Sequence, residues 1–204
     1  MRLGVLGGTF DPIHNGHLGA ADAAQRAVGL DAVMLVPSRV PPHRQQPVGA
    51  NSEHRYAMAS LAAAERPGWM VSRIEIDRQG PSYSYDTLVE LGKERPSTQI
   101  FFILGADAFA EISTWSRYPA VLDLANFLVV ARPGITLDSL REQVPSAFSL
   151  RPAAETRVIL VDATTPDVSS TEIRRRARNG ESLAGLVPDR VAAYIQAHRL
   201  YSGH

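Results

Sequence analysis

Two short stretches concentrate the polar chemistry of this 204-residue chain: GGTFDPIHNGH, from Gly7 to His17, and SSTEIR, from Ser169 to Arg174. In the first, the adjacent glycines Gly7 and Gly8 let backbone approach a ligand closely and turn N–H groups toward it. Asn15 reads as the N-cap of a following helix. That puts His17 in the first turn, where unspent N–H groups and the positive end of the macrodipole favour an anion. His14 and His17, three residues apart, can then converge on one point. A plain structural turn is the alternative. The run is not G-x-G-x-x-G and lacks the lysine of G-x-x-x-x-G-K-[ST], so hydride transfer and Walker-type chemistry lose their signatures. Nor do the histidines flank a glutamate at the four-residue spacing of a metalloprotease helix. Phosphoryl chemistry remains: imidazoles beside a helix start can stabilise charge that builds on non-bridging oxygens during in-line displacement.

The second stretch supports the same chemistry independently. Ser169 as N-cap with Glu172 three residues on fits a capping box. Ser170 and Thr171 then occupy the first turn, with hydroxyls and N–H groups open to phosphate oxygens. Arg174 lies on their face of the helix, whereas Arg175 and Arg176 are rotated from it by roughly 100° and 200° at 3.6 residues per turn. Arg174 is the functional candidate, and its two neighbours read as a solvated basic surface.

Positioning such groups requires a scaffold, and the remaining pattern supplies one. Leu3–Leu6, Ala32–Val36, Met70–Ile76, Ile100–Leu104, Phe127–Val130 and Val158–Val161 are apolar, β-branched runs, most of them continuous, as expected of strands buried on both faces. Helical patterns fall between them, near His17–Val28, Ser52–Glu65, Ser84–Glu94, Asp107–Ile112 and Thr136–Val144. Two more follow, near Ser170–Arg178 and Pro188–His198. This alternation predicts an α/β fold: a Rossmann-like, doubly wound parallel sheet with a small C-terminal helical part, in one domain over residues 1–204. Both motifs would then sit at strand-to-helix turns, where such folds bind ligands. The connections Ser38–Gly49 and Arg78–Ser84 are long for an α/β unit and read as substrate loops.

Composition narrows the partners. Lys+Arg and Asp+Glu both number 21, so no global field draws the chain to nucleic acid or an anionic membrane. The absence of cysteine excludes disulfides, thiolate catalysis and Cys-ligated zinc. No apolar run reaches the ~20 residues of a membrane helix, and the opening residues lack a signal-peptide core. The expectation is a soluble, cytoplasmic protein.

At both motifs the sequence resembles a known family. GGTFDPIHNGH is similar to the [ST/H]-x-G-H signature of the nucleotidylyltransferase superfamily. SSTEIR resembles the I-S-S-T-x-x-R motif of its mononucleotide adenylyltransferase branch. PSRVPPHR, RQGPSYSYDTL, FILGADAFAEISTW and VVARPG follow in the order found in bacterial nicotinate-nucleotide adenylyltransferases. The resemblance implies AMP transfer from ATP to nicotinate mononucleotide with Mg2+, giving nicotinic acid adenine dinucleotide and pyrophosphate. It gives His14 and His17 the ATP phosphates, Thr9 and Phe10 the shared nucleotide cleft, and Arg174 with Ser170 and Thr171 the departing pyrophosphate. Gly105 would allow close approach of ATP, and Asp107 would meet a ribose or cap a helix. Trp115 would stack on the pyridine, Ser82, Tyr83, Ser84, Asp86 and Thr87 would wall the nicotinate pocket, and Arg132 would lie near adenine. Relatives often carry lysine where this chain has Arg44, a guanidinium that grips phosphate bidentately in place of a point charge. His43 beside it is open between loop surface and substrate contact, and Trp69 reads as packing. No protein-held metal is implied, and a homo-oligomer is compatible. A pantetheine-phosphate adenylyltransferase would share the first motif but not the pyridine-pocket segments, and a non-catalytic nucleotide sensor would not need the intact histidines and arginine.

Overall fold

The computed structural model describes residues 1–42, 48–131, 135–149 and 158–202. Its strands are β1 (Arg2–Gly8), β2 (Ala32–Pro37), β3 (Trp69–Val71), β4 (Gln99–Gly105), β5 (Asn126–Ala131) and β6 (Val158–Asp162). Its α-helices are α1 (Asn15–Val28), α2 (Ser52–Ala63), α3 (Ile74–Asp77), α4 (Ser84–Glu94), α5 (Ala106–Ala110), α6 (Leu137–Gln143), α7 (Pro145–Ser149), α8 (Ser170–Arg178) and α9 (Asp189–Ala197). The strands form one six-stranded sheet in the order β3-β2-β1-β4-β5-β6, and every pairing is parallel.

Side-chain alternation divides the core between the two faces of that sheet. Leu6, Leu35, Phe101, Ile103 and Leu128 pack with Leu18 of α1, Met58 of α2, Ile173 of α8 and Val191 of α9 on one face. Val5, Met34, Phe102, Phe127 and Val129 pack with Leu88 of α4 and Phe109 of α5 on the other. This two-sided burial explains why the strands read as continuous apolar runs. The C-terminal helices thus share the core of α1 and α2.

The chain order reverses between β1 and β4, and the register opens a crevice there. The β1–β4 ladder ends at Leu6↔Ile103, while β1–β2 continues through Gly7↔Val36 to Gly8↔Pro37. The carboxyl ends of β1 and β4 therefore part as β1 runs into the first motif.

Three expectations need correction. The run Met70–Ile76 is not a single strand: β3 stops at Val71, the Ser72 hydroxyl accepts the Ile74 N–H at 3.2 Å, and α3 begins. The local alternation suited a strand, but the Ser72 hydroxyl bonds the N–H two residues on and turns the chain ahead of the four-residue α3, whose N-cap is Arg73. The segment Asp107–Ile112 divides into α5 and a 3-10 turn at Ile112–Thr114. In the first motif α1 begins at Asn15, and its N-cap is His14. Among the described residues no helix is long and apolar enough to cross a membrane.

Candidate active site

A cleft of about 800 Å³ opens at the parted ends of β1 and β4. Its walls include Gly7, Gly8, Thr9, Phe10 and His17 from the first motif and Ser170, Thr171 and Arg174 from the second. Ser82, Tyr83, Ser84, Gly105 and Trp115 line its other sides. The fold thus brings segments far apart in sequence to one opening.

The two histidines form a paired cap. His14 Nδ1 accepts the His17 N–H at 3.4 Å, and His17 Nδ1 accepts the His14 N–H at 3.3 Å. Their rings stack with centroids 3.6 Å apart. Since each Nδ1 accepts a backbone hydrogen, the neutral ring carries its proton on Nε2. Burial pushes the His14 pKa down to about 4. Burial, reinforced by His14, holds His17 well below the usual histidine range. Both rings are neutral at physiological pH. His17 lines the cleft, while His14 is buried behind it. His14 therefore orients His17, and His17 presents the imidazole to the opening. Phe10 fixes the other side of His17 with an edge contact at 5.1 Å between centroids. Its φ of 48° is unusual for a bulky residue and is held by full burial of the ring.

Arg174 joins the two motifs. Its Nη1 donates to the Asp11 carbonyl at 2.8 Å, and its Nη2 donates to the Thr171 hydroxyl at 3.2 Å. Neighbouring Arg175 and Arg176 pair instead with Glu172 on the outside of α8, which holds that carboxyl down to about 2. Ser169 caps α8 through the Glu172 N–H at 3.2 Å, but the Glu172 side chain serves the arginines, so the second half of the expected capping box is replaced by an ion-pair cluster. The Ser170 hydroxyl donates to the Pro12 carbonyl at 3.1 Å. It ties α8 to the first motif, so its proton is not open to a phosphate as expected, because the carbonyl of buried Pro12 takes it.

Two buried charged residues hold this arrangement together, and sequence reasoning passed over both. Asp11, 1% exposed, accepts N–H groups from Gly49 at 2.8 Å and Ala50 at 3.0 Å. Arg55, also 1% exposed, donates to the carbonyls of Thr9 at 2.6 Å, Arg39 at 3.2 Å and Ala50 at 3.0 Å. One guanidinium therefore braces the carbonyls of the first motif and of the loop after β2. A usable signal was present for Arg55, which shares the buried stripe of α2 with Met58, Ala59 and Ala62.

On the side formed by α4, several predicted contacts turn inward. The Thr87 hydroxyl donates to Glu75 at 2.7 Å and accepts from Arg78 at 2.8 Å. The Ser82 hydroxyl accepts from Arg39 N–H at 2.9 Å and also hydrogen-bonds the Glu75 carboxyl. Burial raises the Glu75 pKa against those hydrogen bonds. Thr87 does not line the cleft, because a buried carboxyl needs its hydroxyl. Asp86 and Asp107 are exposed and do not line it either. Gly105, not Asp107, is the N-cap of α5. What does face the opening is the start of α4: Tyr83 is its N-cap and makes no side-chain cap hydrogen bond, so among the described residues no cap side chain takes the N–H groups of Ser84 and Tyr85. Trp115 stands nearby, half-buried, its ring edge-on to Phe102 at 5.9 Å. Trp69 packs outside the site and donates its indole N–H to Gln25 at 2.9 Å. His43, Arg44 and Arg132 lie outside the described residues.

The comparisons with known proteins agree with this geometry. The pattern of the Cytidylyltransferase-like family matches residues 5–176. A protein of Citrifermentans bemidjiense, described as a "Probable nicotinate-nucleotide adenylyltransferase", is 44% identical over 212 aligned positions that cover 98% of each chain. One of the same description from Roseiflexus is 43% identical, covering 98% of this chain and 97% of its own. The chain belongs to the nicotinate-nucleotide adenylyltransferase family. In fold, this nicotinate-nucleotide adenylyltransferase family member is similar to Plasmodium falciparum nicotinic acid mononucleotide adenylyltransferase complexed with NaAD, with a TM-score of 0.77 at 17% identity over 98% of this chain and 97% of that one. Both motifs of the adenylyltransferase resemblance therefore meet in one cleft, with Asp11, Arg55 and Glu75 as its hidden supports.

Proposed function

We propose that the chain transfers AMP from ATP to nicotinate mononucleotide, forming nicotinic acid adenine dinucleotide and pyrophosphate in cytoplasmic NAD biosynthesis. An oxygen of the mononucleotide phosphate attacks the α-phosphorus of ATP. The bond from that phosphorus to the bridging oxygen of the β-phosphate breaks, and pyrophosphate leaves with the electron pair. The nucleophile is already ionised, so no general base is needed, and catalysis rests on orientation and electrostatics.

The observation that carries this reading is the convergence of His17 and Arg174 on one cleft, each fixed by backbone contacts that leave donor capacity. A neutral imidazole donating from Nε2 suits charge that grows on the α-phosphate oxygens, since it needs no proton uptake before reaction. Arg174, with the hydroxyl of Thr171 and the first-turn N–H groups of α8, suits the departing pyrophosphate. Gly7, Gly8, Thr9 and Phe10 line the shared nucleotide path. Trp115 supplies a flat apolar partner for the pyridine ring. The N–H groups of Ser84 and Tyr85, in the first turn of α4 where no N-cap side chain bonds them, are donors suited to its carboxylate. Arg44 and Arg132 are kept as a phosphate contact and an adenine contact.

Among the described residues no group of three or more His, Asp or Glu converges as a metal cage. Mg2+ would enter on the phosphates of ATP and neutralise charge on the triphosphate. The experiment is pyrophosphate release from Mg-ATP with and without nicotinate mononucleotide. Release that depends on the acceptor, with equimolar dinucleotide, is expected. Nucleotide binding without release would make the protein a sensor.

A further inference from the structure

Arg174 is the side chain of α8 assigned to the leaving group, yet it lies beside a buried carboxylate that could consume it. Its Nη1 is 3.7 Å from Asp11 Oδ2, beyond hydrogen-bonding reach. A guanidinium free to choose would close on a carboxylate at ≈ 2.7–2.9 Å, often bidentately. The reason it does not is visible in what the carboxylate already accepts. Oδ2 takes the Gly49 N–H at 2.8 Å. Oδ1 takes the Ala50 N–H at 3.0 Å and the phenol of Tyr201 at 3.0 Å.

We propose that Tyr201 is a positioning residue for adenylyl transfer: by donating its phenol to Asp11 it keeps the carboxylate satisfied and leaves Arg174 presented to the cleft. This rests on the reading of Arg174 as a pyrophosphate ligand. Tyr201 follows α9 and is placed for this task on both sides. Its ring and the aliphatic stem of Arg174 close over Gly49, where a Cβ would lie 2.9 Å from Tyr201 Cε1 and 3.1 Å from Arg174 Cδ. Tyr201 also holds a backbone φ of 66°, a conformation a tyrosine rarely adopts and one that needs compensating contacts. Burial and the Asp11 charge raise the phenol pKa far above its ordinary value, so it remains a donor throughout the physiological range. Without that hydroxyl, Oδ1 loses a donor in a site closed to solvent. The Arg174 guanidinium, already alongside, is drawn inward to replace it and loses capacity for the ligand.

The test is a double-mutant cycle between Tyr201→Phe and Arg174→Ala. Tyr201→Phe keeps the ring and removes one hydroxyl, so the fold survives. It is expected to lower kcat/KM for Mg-ATP about tenfold while KM for nicotinate mononucleotide stays within about twofold. In the Arg174→Ala background the same change is expected to add less than about twofold, since the residue through which it acts is gone. Losses that multiply in the double mutant, or that fall equally on both substrates, overturn the proposal. So does a Tyr201→Phe enzyme with ordinary ATP kinetics beside an impaired Arg174→Ala enzyme. Were Arg174→Ala itself to leave ATP kinetics unchanged, the reading of Arg174 would fall, and this proposal with it.

Discussion

Where the first and second motifs meet, polar side chains are anchored to backbone and still face the cleft; beside α4 they are anchored to one another, and Thr87 is drawn out of the cleft altogether. His17 and Arg174 each hold a main-chain atom of the first motif, at 3.3 and 2.8 Å, and each lines the opening. Thr87 and Ser82 instead converge on Glu75, a buried carboxyl that must be satisfied before any ligand is considered. In the proposed reading the phosphate end meets its ligand with side chains, and the α4 side meets it chiefly with backbone N–H groups and the Trp115 ring. Residue type alone marks the neighbourhood of a site. Which atoms reach the ligand depends on what the nearby buried polar groups require.

The largest expected effect breaks the phosphate end. His17→Ala removes the imidazole facing the cleft and is expected to lower kcat by at least ~10²-fold, the scale of losing an oxyanion-type donor. It also removes one acceptor of the paired helix cap, which costs about 1 kcal/mol and lowers Tm by a few degrees. Steady-state kinetics and calorimetry on one preparation separate the two effects. Matching losses of activity and stability would make the residue only a cap.

A smaller effect sharpens the comparison within α8. Arg174→Ala is expected to raise KM for ATP and lower kcat, a combined loss of about ten- to a hundredfold in kcat/KM. Arg176→Ala should stay within about twofold, because Arg176 pairs with Glu172 on a half-exposed face where ion pairs contribute little. Indistinguishable kinetics for the two variants would contradict the division of that helix into a ligand face and a solvent face.

The scaffold was legible because it rests on patterns the chain repeats locally. Continuous apolar runs such as Ile100–Leu104 mark strands covered on both sides, and SSTEIR carries its own helix start. The miss at Met70–Ile76 came from a five-residue alternation, SRIEI, that fits a strand while a local turn at the Ser72 hydroxyl leads into a short helix. In the first motif Asn15 is the usual capping residue, but two histidines at cap spacing satisfy each other's N–H groups and take that role. Asp11, Arg55 and Glu75 were hidden for a different reason. Each is a charged residue whose burial is fixed by partners remote in sequence, as in the contact between Tyr201 and Asp11, so no local window contains the reason for its presence. Asp11 at least follows two glycines in a loop, and Arg55 shares an apolar stripe; Glu75 offered nothing.

The central claim is that backbone donors at the start of α4, beside Trp115, receive a pyridine carboxylate while His17 and Arg174 manage the phosphates. Charge-assisted hydrogen bonds contribute roughly 1.5–3 kcal/mol each. An amide in their place would turn an N–H group toward other N–H groups. Two such contacts give on the order of 10²-fold discrimination at ~1.4 kcal/mol per decade. The direct measurement is kcat/KM for nicotinate mononucleotide against nicotinamide mononucleotide at saturating Mg-ATP. A ratio of about 10² or more in favour of the acid is predicted, and a ratio near one, or one favouring the amide, would contradict it.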